Sequence, residues 1–334
     1  MSDFNNSLFN DWSREKVLIT GGAGFIGSNL ARKIVDLGGE VTIVDSLIPE
    51  YGGNLFNLNG YESKLKINFS DIRDKFSMEY LLKNKSIIFN LAGQTSHLDS
   101  MTDPNTDLEI NCIAQLSLLE SCRKVNPSAR IIFASTRQIY GKPRYLPVNE
   151  VHNINPVDIN GIHKHASELY HKLYSNVYDL STCTLRLTNT IGPRMRIKDA
   201  RQTFLGIWIK NLIKGTPIEV WGGEQLRDFN DVDDVVDALI ICAKNQNVLS
   251  TPYNLGSSET IKLIDLAKKL IKIYGKGEIK CMEYPKVRKK IDIGDYYSCY
   301  EKFKTQTGWE PKKNLDYTLE KTLNYYSKNF DFYQ

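Results

Sequence analysis

Two kinds of apolar run alternate along the first half of the chain. Short runs rich in Val and Ile occur at Val17 to Thr20, Glu40 to Asp45, Leu65 to Phe69, Ser86 to Leu91, Ala129 to Ala134 and Ser181 to Leu187. Their length and β-branched content predict buried strands. Between them, apolar positions recur every three or four residues, as in Phe25, Ile26, Leu30, Ile34 and Leu37, and again over 107–125 and 158–179. That period predicts helices with one face on a core. Strand and helix in strict alternation imply an α/β fold with a doubly wound parallel sheet, with its ligand across the carboxyl ends of the strands.

After Asn189 the alternation breaks at Gly192, Pro193 and Arg194. Helices are then expected over 200–214, 232–244, 260–274 and 315–326, with short strands at 218–221, 252–255 and 279–283. The expected organisation is an N-terminal arm (1–15) in which Trp12 packs, a Rossmann dinucleotide-binding domain (16–190), and a smaller mixed C-terminal substrate-binding region (191–334) interleaved with the first near 220–260.

The first strand runs directly into TGGAGFIG (Thr20 to Gly27), with glycines spaced G-x-x-G-x-x-G at Gly21, Gly24 and Gly27. A strand, a tight glycine turn and a helix form a phosphate cradle. Glycine permits the turn and a close approach of a pyrophosphate, and the helix N-terminus offers free N–H groups and a positive dipole end. Asp45 ends the second strand about 20 residues further on, where a carboxylate accepts hydrogen bonds from the adenosine ribose and repels a 2′-phosphate, which favours NAD.

Composition narrows the picture. The 334 residues carry a net charge of +4 with acidic and basic residues interleaved, so neither nucleic acid nor a membrane surface is an expected partner. No apolar run reaches the length of a membrane span. The six cysteines form no C-x-x-C pair, so a reduced, cytoplasmic protein with no metal site is expected.

Further motifs follow in order: Asp71-Ile72, Leu91-Ala92, STRQIYG (Ser135 to Gly141), Lys164 with Glu168, LRLTN (Leu185 to Asn189), Gly192-Pro193, RDFNDVDD (Arg227 to Asp234) and Trp309 to Pro311. With the glycine turn and Asp45, the set resembles the extended short-chain dehydrogenase/reductases, the nucleotide-sugar epimerase/dehydratase family, over roughly residues 16–311. The resemblance implies bound NAD, a nucleoside-diphosphate sugar and hydride removal at the sugar C4. It places the cofactor against Gly21, Gly24, Phe25, Ile26, Gly27, Asp45, Asp71, Ile72, Leu91, Ala92, Gln94 and Lys164. It places the substrate against Thr136, Arg137, Asn189, Arg201, Arg227 and Arg288. A further basic cluster, Arg194, Arg196 and Lys198 with Arg201, is a candidate lining of the nucleotide pocket. Helices 107–125 and 159–178 carry apolar residues beyond one face, and the family pairs such helices in a homodimer, which in turn can build a tetramer.

One departure bears on mechanism. In the family a tyrosine four residues before the lysine takes the hydroxyl proton. Here the lysine is Lys164, in NGIHK, and the tyrosine position holds Asn160. A carboxamide can orient a hydroxyl but does not titrate. Candidates to replace the tyrosine are His163, which lies round the helix and has either a catalytic or a merely neighbouring role, and His97 in the loop after the fourth strand. A water held by Thr136, Asn160 and Lys164 is a further route. Arg137 and Gln138 stand where the 4,6-dehydratase branch carries Asp and Glu, and neither can do acid–base work, which argues against 4,6-dehydration. The expected reaction is therefore a 4-dehydrogenase step to a 4-keto sugar. A 4-epimerase, a 5,6-type dehydratase and a non-catalytic NAD or nucleotide-sugar sensor are the alternatives.

Overall fold

The computed structural model describes residues 8–51, 53–285 and 289–334. Seven parallel strands form the central sheet: β1 (Lys16–Thr20), β2 (Glu40–Val44), β3 (Lys66–Asn68), β4 (Ile87–Asn90), β5 (Arg130–Thr136), β6 (Ser181–Leu187) and, numbered later in the chain, β10 (Pro252–Asn254). Their spatial order is β10-β6-β5-β4-β1-β2-β3. Alternate residues of one strand enter opposite layers: Val17 and Ile19 join Ile43 and Phe89 in one core, while Leu18 joins Val44 and Ile88 in the other. A strand buried on both faces reads as an uninterrupted apolar run, which is why these segments are legible in sequence.

The helices are α1 (Phe25–Asp36), α2 (Lys75–Leu82), α3 (His97–Thr102), α4 (Pro104–Leu108), α5 (Ala114–Val125) and α6 (Ile159–Tyr178), followed by α7 (Phe204–Lys214), α8 (Val232–Lys244), α9 (Leu263–Tyr274), α10 (Glu301–Thr307) and α11 (Leu315–Asn329). The expected single helix over 107–125 is instead α4, a π-helical turn at Glu109–Ile113, and α5. The helix expected from 200 begins at Phe204, behind a Thr203 cap whose hydroxyl oxygen accepts from Leu205 N. Residues Thr260–Lys262 are not helical but form β11, antiparallel to β9 (Leu226–Asp231). β9 in turn pairs with β7 (Asn189–Ile191), and β8 (Ile218–Trp221) with β12 (Ile279–Met282). These strands lack the long Val and Ile runs of the main sheet, and tertiary pairing decides them.

The chain returns to the large sheet through α8 and β10. The arm is docked over its described part: Trp12 is fully buried, its Nε1 donates to Leu8 O at 3.1 Å, and Lys244 covers its ring. Beside the sheet, Arg186 and Glu168 form a buried forked pair at 2.7 and 3.0 Å, and Arg186 also donates to the Tyr140 hydroxyl at 2.6 Å. Tyr140 donates onward to Asn254 at 2.7 Å, so this motif tyrosine ties β6 to β10.

Candidate active site

The strand order reverses between β1 and β4, and a crevice opens there beyond the carboxyl ends. On its floor the glycine turn is held by Gly21 N donating to Val44 O at 2.7 Å. Gly21 has φ +68°, and Gly27 is packed so tightly that a Cβ would lie 2.2 Å from Gly21 O. The groove is lined by Gly21, Gly24, Phe25, Ile26 and Gly27 on one side and by Asp71, Ile72, Leu91 and Ala92 on the other. Asp45 stands at the end of β2, with one carboxylate oxygen accepting from Ala23 N at 3.0 Å and the other from Leu47 N at 2.9 Å. A backbone turn with no room for side chains, a helix N-terminus behind it and a carboxylate at the neighbouring strand end fit an adenine dinucleotide.

The groove continues into a cavity where β5 ends and α6 begins. Thr136, Asn160, Lys164, His97, Arg137 and Asn189 all line it, together with Gln94. Lys164 Nζ donates to Ala134 O at 3.2 Å and is nearly buried. Burial pushes its ammonium down to about 8. Gly93 leaves space for that ammonium, because a Cβ there would sit 3.0 Å from Nζ.

Asn160 is 2% exposed and its amide is already committed. Nδ2 donates to Gln94 O at 2.9 Å and to Asp107 Oδ2 at 3.1 Å. Asp107 is a fully buried carboxylate that also accepts from Asn111 Nδ2 at 3.0 Å and lies 2.7 Å from His163 Nδ1. The π turn at Glu109–Ile113 carries Asn111, whose Nδ2 also reaches Gln94 O at 2.9 Å. π turns of this kind frequently occur at functional sites. His163 thus faces Asp107 from behind Asn160 and is not among the residues lining the cavity.

His97 does line it, at the N-terminus of α3. Its Nδ1 lies 3.1 Å from Asp158 Oδ2, without the alignment of a strict hydrogen bond. Asp158 is buried, caps α6 through Gly161 N at 2.7 Å and accepts from Gln138 Nε2 at 2.9 Å. Burial alone would raise its carboxyl, but the contacts with His97 and the two donors outweigh this and hold it below the usual carboxylate range.

A neighbouring cavity shares His97, Arg137 and Asn189 with this one and is also lined by Arg201 and Arg227. Arg201 is paired with Asp99 at 2.7 Å and Asp199 at 3.2 Å. Arg227 is 6% exposed, donates to Gly294 O and to Leu226 O, and lies 3.3 Å from Asp292. Asn189 Nδ2 donates to Asp228 O at 3.0 Å. Arg288 lies outside the described residues. The basic cluster divides: Arg194, Arg196 and Lys198 line a separate hollow near Phe332 and Tyr333, whereas Arg201 lines the same cavity as Arg227.

Three groups near the cavity were not singled out by the sequence. Asp158 reads there only as a helix start. Asp107 and Asn111 read as the opening turn of an amphipathic helix, and nothing in the period announces a π turn. The one signal was Asn160 itself, since a buried carboxamide in place of a phenol requires new partners.

The parallel sheet, the glycine turn and the Thr136–Lys164 cavity define a Rossmann-fold short-chain dehydrogenase/reductase. The sequence model of the NAD dependent epimerase/dehydratase family matches residues 17–256, and the chain belongs to that family. It is 32% identical to a UDP-glucuronic acid decarboxylase 1 of Xenopus tropicalis, over 95% of this chain and 73% of that protein. It is also 32% identical to a UDP-glucose 4-epimerase of Mycolicibacterium smegmatis, over 67% of this chain and 72% of the relative. Among solved structures, a UDP-glucose 4-epimerase of Thermotoga maritima with UDP-glucose superposes with a TM-score of 0.86 at 30% identity, covering 94% of this chain and 99% of that one. The protein is an NAD-dependent enzyme of the nucleotide-sugar epimerase/dehydratase type.

Proposed function

We propose that the protein oxidises the C4 hydroxyl of a nucleoside-diphosphate sugar to a 4-keto sugar, with His97 as the group that takes the hydroxyl proton. The observation that carries this reading is the single cavity shared by Thr136, Lys164 and His97 at the mouth of the dinucleotide groove. The groove residues Gly21, Gly24, Gly27 and Asp45 would hold NAD, which would supply the hydride acceptor for C4. Thr136, at the end of β5, orients the hydroxyl by hydrogen bonding. Lys164 holds positive charge beside the hydroxyl and favours its ionised form. Asn160 does not titrate and instead donates to the Gln94 backbone carbonyl and Asp107. An imidazole can take a proton near neutral pH, and the Asp158 carboxylate stabilises the imidazolium that results. Arg201 and Arg227 border the diphosphate end.

Oxidation removes two hydrogens from the sugar and leaves the cofactor reduced, so a 4-dehydrogenase needs a separate oxidant to turn over again. Return of the hydride to the opposite face is the second reading, favoured by the relatives with 4-epimerase activity. Mass analysis after incubation with nucleotide sugars decides between them: a product lighter by two hydrogens is expected, and an epimer of unchanged mass would establish the second reading. His97→Gln is expected to lower kcat by about a hundredfold with KM little changed. Turnover within threefold of the parent would remove His97 from the reaction.

Ile162, Leu169, Leu173 and Val177 form an exposed apolar stripe along α6, with Ile113 exposed on the neighbouring π turn. We propose that this stripe pairs two copies of the chain, and that the dimer works in the cytoplasm, where its six free cysteines stay reduced. Light scattering is expected to give a mass of two chains, falling to one for Leu169→Glu with Leu173→Glu. A parent protein that elutes as a monomer at micromolar concentration would disprove the pairing.

A further inference from the structure

Arg137 is a cation that no carboxylate pairs with among the described residues. It follows Thr136 at the end of β5 and faces the cavity. Its one hydrogen bond is long, from Nη1 to Thr188 Oγ1 at 3.3 Å, and its guanidinium lies 5.5 Å from the centre of the Tyr296 ring. Nε is enclosed and has no hydrogen-bond partner. Among the described residues no carboxylate comes within ion-pair distance of it. Asp228 carries charge nearby, but its two oxygens already accept from the Thr188 hydroxyl and from Ser298 N.

The other two arginines of the cavity are satisfied differently, Arg201 by two aspartates and Arg227 by Asp292 and backbone carbonyls. Burial first, and the like charge of Arg227 second, push the Arg137 guanidinium down to about 10. Enclosing an unpaired guanidinium is unfavourable, and the fold sustains it where a ligand brings the counter-charge.

A nucleoside-diphosphate sugar offers two kinds of anion. The diphosphate has Arg201 and Arg227 at the open end. Arg137 sits further in, adjacent in the chain to Thr136 and in the same cavity as Asn160 and Lys164. We propose that Arg137 holds a carboxylate carried by the sugar ring, so that the substrate is a nucleotide-activated uronic acid. A guanidinium binds a carboxylate through two parallel N–H donors, a match that a lysine ammonium does not reproduce. The proposal rests on the nucleotide-sugar reading above.

The test uses the NAD-loaded protein and two probes without a base, glucuronic acid 1-phosphate and glucose 1-phosphate, which differ only in oxidation at C6. Calorimetric or NMR titration is expected to show the uronate binding at least tenfold more tightly. In Arg137→Gln that preference should vanish while glucose 1-phosphate binds within twofold of the parent. Arg137→Lys should retain part of the preference, which separates lost charge from lost geometry. Equal binding of the two probes to the parent, or an undiminished preference in Arg137→Gln, overturns the assignment. A loss of both probes in Arg137→Gln places the arginine on the phosphate instead and also overturns it. A parent protein that binds neither probe refutes the sugar-nucleotide reading itself. Thermal melting of each variant confirms that it folds.

Discussion

Gly27→Ala is expected to yield a protein that retains no NAD. The added Cβ would lie 2.2 Å from Gly21 O, 2.9 Å from Gly22 Cα and 3.0 Å from Gly21 C, all backbone atoms. None is the tip of a flexible side chain, so the turn itself has to open. The same turn aligns the first N–H groups of α1 toward the groove, and its displacement removes the cradle that a pyrophosphate would use. Overpacking of this kind costs about 1–3 kcal/mol of fold stability, which a sheet with an extensive core on each face tolerates. Fluorescence titration with NAD and a urea melt together check this. Binding within threefold of the parent would show that the turn moves without harm. Gly24→Ala provides the contrast, since its Cβ meets only one atom, Gly21 O at 3.1 Å.

Lys164→Met is expected to abolish turnover, by about a thousandfold or more, while making the cofactor-free protein more stable at pH 7. The two effects share one cause. Lys164 is buried with no paired carboxylate among the described residues, and burial pushes its ammonium down from the ordinary lysine value of 10.5 to about 8. A lysine with a depressed folded value opposes folding wherever it is protonated in both states. That opposition is fully present below pH 8 and is relieved as pH rises from 8 to 10.5, where the unfolded chain binds more protons. The shift corresponds to roughly 3 kcal/mol, partly offset in the variant by the lost bond to Ala134 O. Urea melts should therefore show the parent, but not Lys164→Met, gaining stability from this group over that pH interval. A variant less stable than the parent at pH 7 would mean that Lys164 is held by stronger favourable contacts than its bond to Ala134 O.

Much of this was legible in the residues themselves. Parallel strands buried on both faces announce their runs, and the glycine turn and Asp45 announce the groove. Lys164 and Thr136, both named from motifs, line one cavity. The C-terminal strands β7, β9 and β11 were hidden because β7 and β11 have three residues each and β9 is mostly polar, so pairing makes them, as when Thr260–Lys262 continues a helical pattern yet lines up with Leu226–Asp228. His163 was drawn toward the chemistry by its place before Lys164, but Asp107 captures it, and Asp107 lies fifty-six residues away in sequence. For Arg137 the sequence pointed only to the substrate side, because its lack of a partner becomes visible only once the cavity walls are assembled.

The Asp107 cluster bears on how freely this sequence can change. Asn160, Asn111 and His163 all engage one buried carboxylate. Restoring a tyrosine at 160 in a single step would take one donor from Asp107 and one from the Gln94 backbone carbonyl, and would leave His163 facing a carboxylate short of partners. The contributions of these positions are coupled rather than additive. Reversion toward the tyrosine mechanism would therefore have to pass through several substitutions at once, and the chain stands in a neighbourhood of sequence space with no single-residue exit.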